Sequence, residues 1–155
     1  SSAASAVYKR QVPAMEQGFQ PDTISTDLHR SSRMRPNATM TPTMSKFLVM
    51  GMPLADVIRL STIEPARVIG RPQHGHLTVG AAADVAVLRI DEGDFGYMDA
   101  FGGVLRGDRR FICELTVSDG EIVWDLNGRS GSDYRILDPE YGVRDVEELI
   151  RPPRP

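Results

Sequence analysis

The stretch Pro21-Asp22-Thr23-Ile24-Ser25-Thr26-Asp27-Leu28-His29 sets a carboxylate and an imidazole two residues apart at the end of a β-branched run. A strand over Thr23–Asp27 that continued to His29 would carry both groups on one face. The chemistry such a pair offers is proton transfer to and from a reacting group. The same residues also suit a plainer task, because Thr-Asp commonly caps a turn or a helix. His29 could touch a substrate, tune Asp27, or make only a structural hydrogen bond. The other two histidines form a literal His-x-His, His74-Gly75-His76, whose meaning depends on its structural context. Cys113 is the only cysteine, with no second thiol for a disulfide or a metal; it reads as a small buried hydrophobe in a reducing compartment.

The chain around these groups has 155 residues, 41% hydrophobic and 25% charged, enough for one ordinary domain or a piece of a larger one. Its net charge of −3 comes from interspersed charges of both signs. No basic stripe marks a nucleic-acid partner. No apolar run approaches the roughly 20 residues of a membrane span. The opening Ser-Ser-Ala-Ala-Ser-Ala-Val lacks the layout of a signal peptide, so a cytoplasmic location is expected.

Residues 1–13 show no period and read as an irregular N-terminal segment. Ala14 to Gly18 reads as the tail of a helix closed by glycine, and Thr23–Asp27 as the strand. After a loop, Thr41 is expected to cap a helix with Pro42 at its first position, ending at Gly51. Pro53 starts another, with Leu54, Val57 and Ile58 as its apolar stripe. A short helical turn follows Pro65, with Ala66, Val68 and Ile69 before Gly70. Met40, Met44, Met50 and Met52 are expected in the packing of these helices.

Past Gly75 the period changes. Val85–Ile90 predicts a strand covered on both faces, and Phe111, Cys113, Leu115 and Val117 alternate with Arg110, Glu114 and Thr116 as a second strand. Asp119-Gly120 predicts a hairpin into Ile122-Val123-Trp124. Arg106, Asp108, Arg109 and Arg110 read as a salt-bridged turn. Residues 129–155 form a polar tail with one helix, Val143 to Ile150.

Three blocks in this order resemble the C-terminal part of the amidohydrolase superfamily, metal-dependent hydrolases built on a (β/α)8 barrel with a small β-sandwich. They are Ser25-Thr26-Asp27; Ser61-Thr62-Ile63-Glu64-Pro65-Ala66-Arg67-Val68-Ile69-Gly70, similar to T-x-N-P-A-x-x-x-G; and Gly75-His76-Leu77-Thr78-Val79-Gly80-Ala81-Ala82-Ala83-Asp84-Val85-Ala86-Val87-Leu88, similar to G-x-L-x-x-G-x-x-A-D-x-x-V. Asp-Leu-His, Thr-Met-Ser-Lys, Phe-Gly-Gly, Leu-Arg-Gly-Asp-Arg-Arg and Val-Trp-Asp-Leu-Asn-Gly look most like its dihydroorotase-like amidohydrolase/deacetylase subgroup.

The resemblance implies an α/β fold: the C-terminal fragment of a (β/α)8 TIM barrel, last strand and helices over 14–72, plus part of the composite β-sandwich over 73–128. It implies that Asp27 ends the eighth barrel strand, binds metal and shuttles a proton, with His29 near the substrate or behind the aspartate. It implies a divalent metal, zinc as one or two ions, and a small-molecule amide or related acyl-ester substrate. It also places Gly75 in the turn that enters the sandwich, which makes His74 and His76 surface residues. Catalytic zinc takes about three protein ligands, and a full barrel needs roughly 200 residues or more. The chain is therefore expected to be the end of a longer enzyme or to complete a barrel supplied by another polypeptide, inactive alone and prone to self-association. The alternative is a non-catalytic β-domain or assembly module derived from an amidohydrolase.

Overall fold

The computed structural model describes residues 7–26, 28, 39–99 and 102–138. The elements run α1 (Val7–Glu16), α2 (Met40–Val49), α3 (Leu54–Ser61), α4 (Ile63–Val68), β1 (Val85–Met98), β2 (Val104–Ser118) and β3 (Glu121–Asp125), then one 3-10 turn, Tyr134–Ile136. Among the described residues no helix is long and apolar enough to cross a membrane. The helix expected at Val143–Ile150 lies outside them.

α1 begins seven residues before its expected start, inside the segment read as irregular, and includes Pro13, which withholds the amide that would face the Lys9 carbonyl. α2 also starts early. Thr39, not Thr41, is its cap residue, and Pro42 sits third, where first-turn amides have no helical partner anyway. Three helices end alike. After α1, α2 and α4 a glycine with positive φ turns the chain back, so that Phe19 N–H donates to Ala14 O, Met52 N–H to Phe47 O and Arg71 N–H to Ala66 O at 2.8–3.0 Å. The buried stripe of α3 is Val57 and Leu60 with Ile58 at its edge, while Leu54 is 46% exposed. On α4 only Ala66 is buried, and Val68 and Ile69 face outward.

Thr23–Thr26, the described part of the predicted strand, joins no ladder. A strand exists through its neighbours, and among the described residues none pairs with this segment. What holds it is the Ile24 amide, which donates to Leu60 O at 2.8 Å, and the Ile24 side chain, 3% exposed.

The sheet is an antiparallel meander in the order β1-β2-β3. The predicted hairpin is present: Asp119 and Gly120, at φ 50° and 82°, join Ser118 to its partner Glu121 in a two-residue turn. The predicted alternation in β2 breaks. Register jumps from Val87↔Leu115 to Leu88↔Cys113, so Glu114 has no residue opposite it. This bulge turns Glu114 inward to 7% exposure and leaves Cys113, Leu115 and Val117 half-buried. The Glu114 carboxylate accepts from Arg89 and from Asn127 Nδ2 (2.8 Å), with Arg129 at 3.7 Å. Nor is Val85–Ile90 covered on both faces, since Val87 is 48% exposed. The arginine cluster lies within β2 rather than a turn, pairing Arg106 with Asp94 and Arg110 with Asp91, while Arg110 also stacks 4.4 Å from the Phe95 ring centre.

Helices and sheet meet between α2 and β2. Ile24, Met44, Leu48, Met52, Val57, Leu60 and Phe111 form the core, with Met15, Met40 and Phe47 packed against it. Gly107 makes the approach possible, because a Cβ there would run into Val49. β3 reaches only Leu115–Ser118 of β2, so the Phe111 amide lies beyond it. That amide donates to Ser45 Oγ at 2.9 Å, and the fully buried hydroxyl donates in turn to Thr41 O at 2.7 Å. Ser45→Ala should destabilise the chain by about 1–3 kcal/mol by orphaning that amide. A denaturant midpoint unchanged from the parent would contradict this.

At the end of β3, Asp125 accepts hydrogen bonds from Ser130 N and Oγ, both 2.7 Å, and from Asn127 N at 3.3 Å. The Ser130 bonds hold its carboxyl well below the usual 3.8, at about 2. A depressed folded-state pKa contributes stability that is present above the unfolded value and lost as pH falls towards the folded one. Stability at this loop should therefore decline between about pH 4 and 2, and Asp125→Asn should flatten that limb of an acid titration.

Candidate active site

The segment approaching Asp27 can be followed to Thr26; Asp27 and His29 lie outside the described residues. Its foundation is the end of α3. The Leu60 carbonyl, one of the last four of that helix and so without a helical partner, takes the Ile24 amide. Thr62 follows between α3 and α4 at φ −130°, ψ −82°, its hydroxyl donating to Ile58 O at 2.8 Å.

Beside this junction an open cleft is lined by Gln20, Pro21, Asp22, Arg59, Leu60, Glu64 and Val68. Two of its ionic groups, Arg59 and Glu64, are paired with each other. Arg59 bridges Asp56 and Glu64 at 3.0 Å each, and Arg67 reaches Glu64 at 3.1 Å. The hydrogen bond from Arg59 holds the Glu64 carboxyl below the usual carboxylate range, which suits an ion pair and not a proton-transfer group. On α2, burial pushes the Lys46 ammonium below its ordinary pKa against the opposing charge of Asp99.

His74-Gly75-His76 is engaged elsewhere. His76 Nε2 lies 2.8 Å from Pro72 O, and its Nδ1 takes the Thr78 amide at 3.4 Å, so both ring nitrogens are used. His74 Nδ1 lies 3.5 Å from Asp84. Gly75, at φ 81°, backs onto Thr62 so closely that a Cβ would sit 2.6 Å from the Thr62 oxygen. Asp84 has a role the motif alone did not disclose. Its carboxylate accepts the Asp119 amide at 2.9 Å and lies 3.4 Å from Ser118 Oγ, fastening the β2–β3 hairpin to the start of β1.

Metal chemistry needs a converging donor set. Among the described residues no three His, Cys, Asp or Glu side chains come together as one, so these residues do not fit a metal centre. Cys113 is half-buried with Thr116 Oγ1 at 3.3 Å.

The sequence model of the Amidohydrolase family matches residues 37–124, taking in both downstream motif blocks. The chain belongs to the amidohydrolase family. It is 36% identical over 120 residues to a deacetylase of Brucella anthropi, an alignment covering 77% of this chain and 30% of that one. It is 38% identical over 100 residues to an isoxanthopterin deaminase of an unknown prokaryotic organism, covering 63% and 20%. Among solved structures, a dihydroorotase superposes with TM-score 0.68 at 34% identity, covering 76% of this chain and 32% of that one. The chain thus spans about a third or less of the amidohydrolase relatives it matches. Asp27 and His29 precede the range matched by the family.

Proposed function

We propose that the chain is the closing part of an amidohydrolase that cleaves a C–N amide bond or a related acyl ester, with residues 14–72 ending a (β/α)8 barrel and 73–128 forming part of its β-sandwich. The observation that carries this is the family match over 37–124, which includes the Ser61–Gly70 and Gly75–Leu88 blocks. Asp27 is the proton-transferring carboxylate: it takes a proton from the attacking water and returns it to the departing nitrogen or oxygen. His29 stands next to it, on the substrate or supporting the aspartate. A divalent ion belongs to this proposal, zinc as one or two ions, with Asp27 as one ligand and the others from the rest of the barrel. The setting is cytoplasmic, and the 155-residue chain works only with a complete barrel, in one polypeptide or paired with another.

The test is to assay the complete enzyme containing this chain for acetate release from N-acetylated amino acids, ring opening of cyclic amides and hydrolysis of acyl esters, with the 155-residue chain in parallel. Turnover of one class by the complete enzyme alone is expected. Turnover by the 155-residue chain by itself would overturn the dependence on a barrel, and a complete enzyme inert towards all three classes would overturn the activity. A second proposal, a non-catalytic assembly module, draws on the exposure of Val87, Ile122, Val123 and Trp124 across the sheet. It requires an intact assembly that turns nothing over and that dissociates when these side chains become polar.

A further inference from the structure

We propose that Asn127-Gly128 is a modification site, at which Asn127 deamidates through attack by the Gly128 backbone nitrogen and the new charge releases the loop after β3 from Glu114. The site stands apart from the catalytic reading. Its chemistry is set by the sequence. Gly128 has no side chain to keep its amide nitrogen away from the Asn127 side chain. Asn37, the chain's only other asparagine, precedes Ala38, whose methyl group hinders that approach. The Gly128 nitrogen bonds to Asn127 Cγ, the Cγ–Nδ2 bond breaks, and Nδ2 leaves as ammonia with the proton that the amide gives up. Water then opens the cyclic imide at either carbonyl, leaving aspartate or isoaspartate.

The fold leaves the attacking amide free and makes the product unfavourable. Asn127 and Gly128 are both exposed. Around them the amides are engaged: Leu126 N donates to Glu114 O at 2.9 Å, Asn127 N to Asp125 Oδ1 at 3.3 Å and Ser130 N to Asp125 Oδ2 at 2.7 Å. The Gly128 amide donates to none of the described residues. Asn127 Nδ2, the leaving group, is a donor to Glu114 Oε2 at 2.8 Å. That bond restrains the side chain but engages neither Cγ nor the Gly128 nitrogen. Deamidation removes this donor and sets a second carboxylate against Glu114, which is only 7% exposed. Two carboxylates sharing a site disfavour each other's charge. Arg89 and Arg129 already serve Glu114, so the repulsion is relieved by the loop swinging outward. Isoaspartate also lengthens the backbone by one carbon, which misplaces the amides gathered by Asp125.

The test holds the complete enzyme containing this chain at mildly alkaline pH and follows both asparagines by peptide mass spectrometry. Asn127 should convert to the acid many-fold faster than Asn37; conversion no faster than at Asn37 overturns the proposal. Release of the loop is read from hydrogen exchange at the Leu126 amide, whose acceptor is Glu114 O. Asn127→Asp should speed that exchange roughly 10-fold, the effect of losing one hydrogen bond to a charged group. In a Glu114→Gln background, where no like charge faces position 127, the same substitution should change it little. Parent exchange in Asn127→Asp, or equal acceleration in both backgrounds, overturns the role of Glu114. Should Glu114→Gln fail to fold, exchange at Leu126 in the parent before and after deamidation decides the matter: faster exchange in the converted protein is expected, and an unchanged rate overturns the proposal.

Discussion

Asp27→Asn should abolish turnover in the complete enzyme while leaving the fold in place. The amide is nearly isosteric with the carboxylate and keeps an oxygen that can accept hydrogen bonds, but it cannot take up a proton at neutral pH. Loss of general-base help costs about 10²–10⁴-fold in rate. His74→Ala and His76→Ala form the contrast. Their rings serve the turn ahead of the sheet, His76 against Pro72 O and Thr78 N and His74 against Asp84, so both variants should keep near-parent rates. Steady-state rates for the three variants on one substrate decide it. Near-normal turnover in Asp27→Asn, or loss of turnover in either histidine variant, would mean that the chemistry sits elsewhere.

Leu48→Ala should cost about 2–5 kcal/mol, a large share of a typical domain's stability. Leu48 is 1% exposed, on the face of α2 that meets the sheet, in one cluster with Ile24, Phe111 and the α3 side chains. Truncation removes contacts to both halves of the structure at once. The neighbours cannot easily collapse into the void, because Gly107 against Val49 and Ser45 against Phe111 already fix the distance between α2 and β2. Val87→Ala, on a residue 48% exposed, should stay within about 0.5 kcal/mol. Denaturant midpoints for the two variants measure the difference, and equal midpoints would place the core elsewhere.

The legible parts of this fold were those where one residue's chemistry decides the local geometry. Gly18, Gly51 and Gly70 close helices, and Asp119-Gly120 turns a hairpin, because few other residues accept those dihedral angles. Met40, Met44 and Met52 do pack in or against the core, as apolar side chains on short helices must. The illegible parts were set by partners distant in sequence. The bulge at Glu114 has no local sign, since Phe111 to Val117 alternates cleanly on paper; only the pairing with β1 turns the carboxylate inward to Arg89. Thr23–Thr26 has strand composition but, among the described residues, no neighbour to make it a strand. The role of Asp84 depends on the Asp119 amide, which the chain brings back only through the meander. For the candidate site, the motif blocks were visible as motifs, yet the packing of Gly75 on Thr62, and the Ile24 bond to Leu60 just ahead of the first block, emerge only in the folded chain.

The meander also has a consequence for the order in which the protein assembles. Each strand pairs with the next one along the chain, so residues 85–125 can be zipped from the turns outward with short loop closures. The helical half must instead close over long distances: the bond from the Phe111 amide to Ser45 spans 66 residues. Contacts between sequence neighbours form faster than distant ones. During synthesis the helices emerge first but have no sheet to lie on, and the ladder follows once β2 and β3 have been made. The docking of α2 is then the late step, in which Gly107 serves as the notch and the waiting Phe111 amide as the latch for a helix that arrived before its seat.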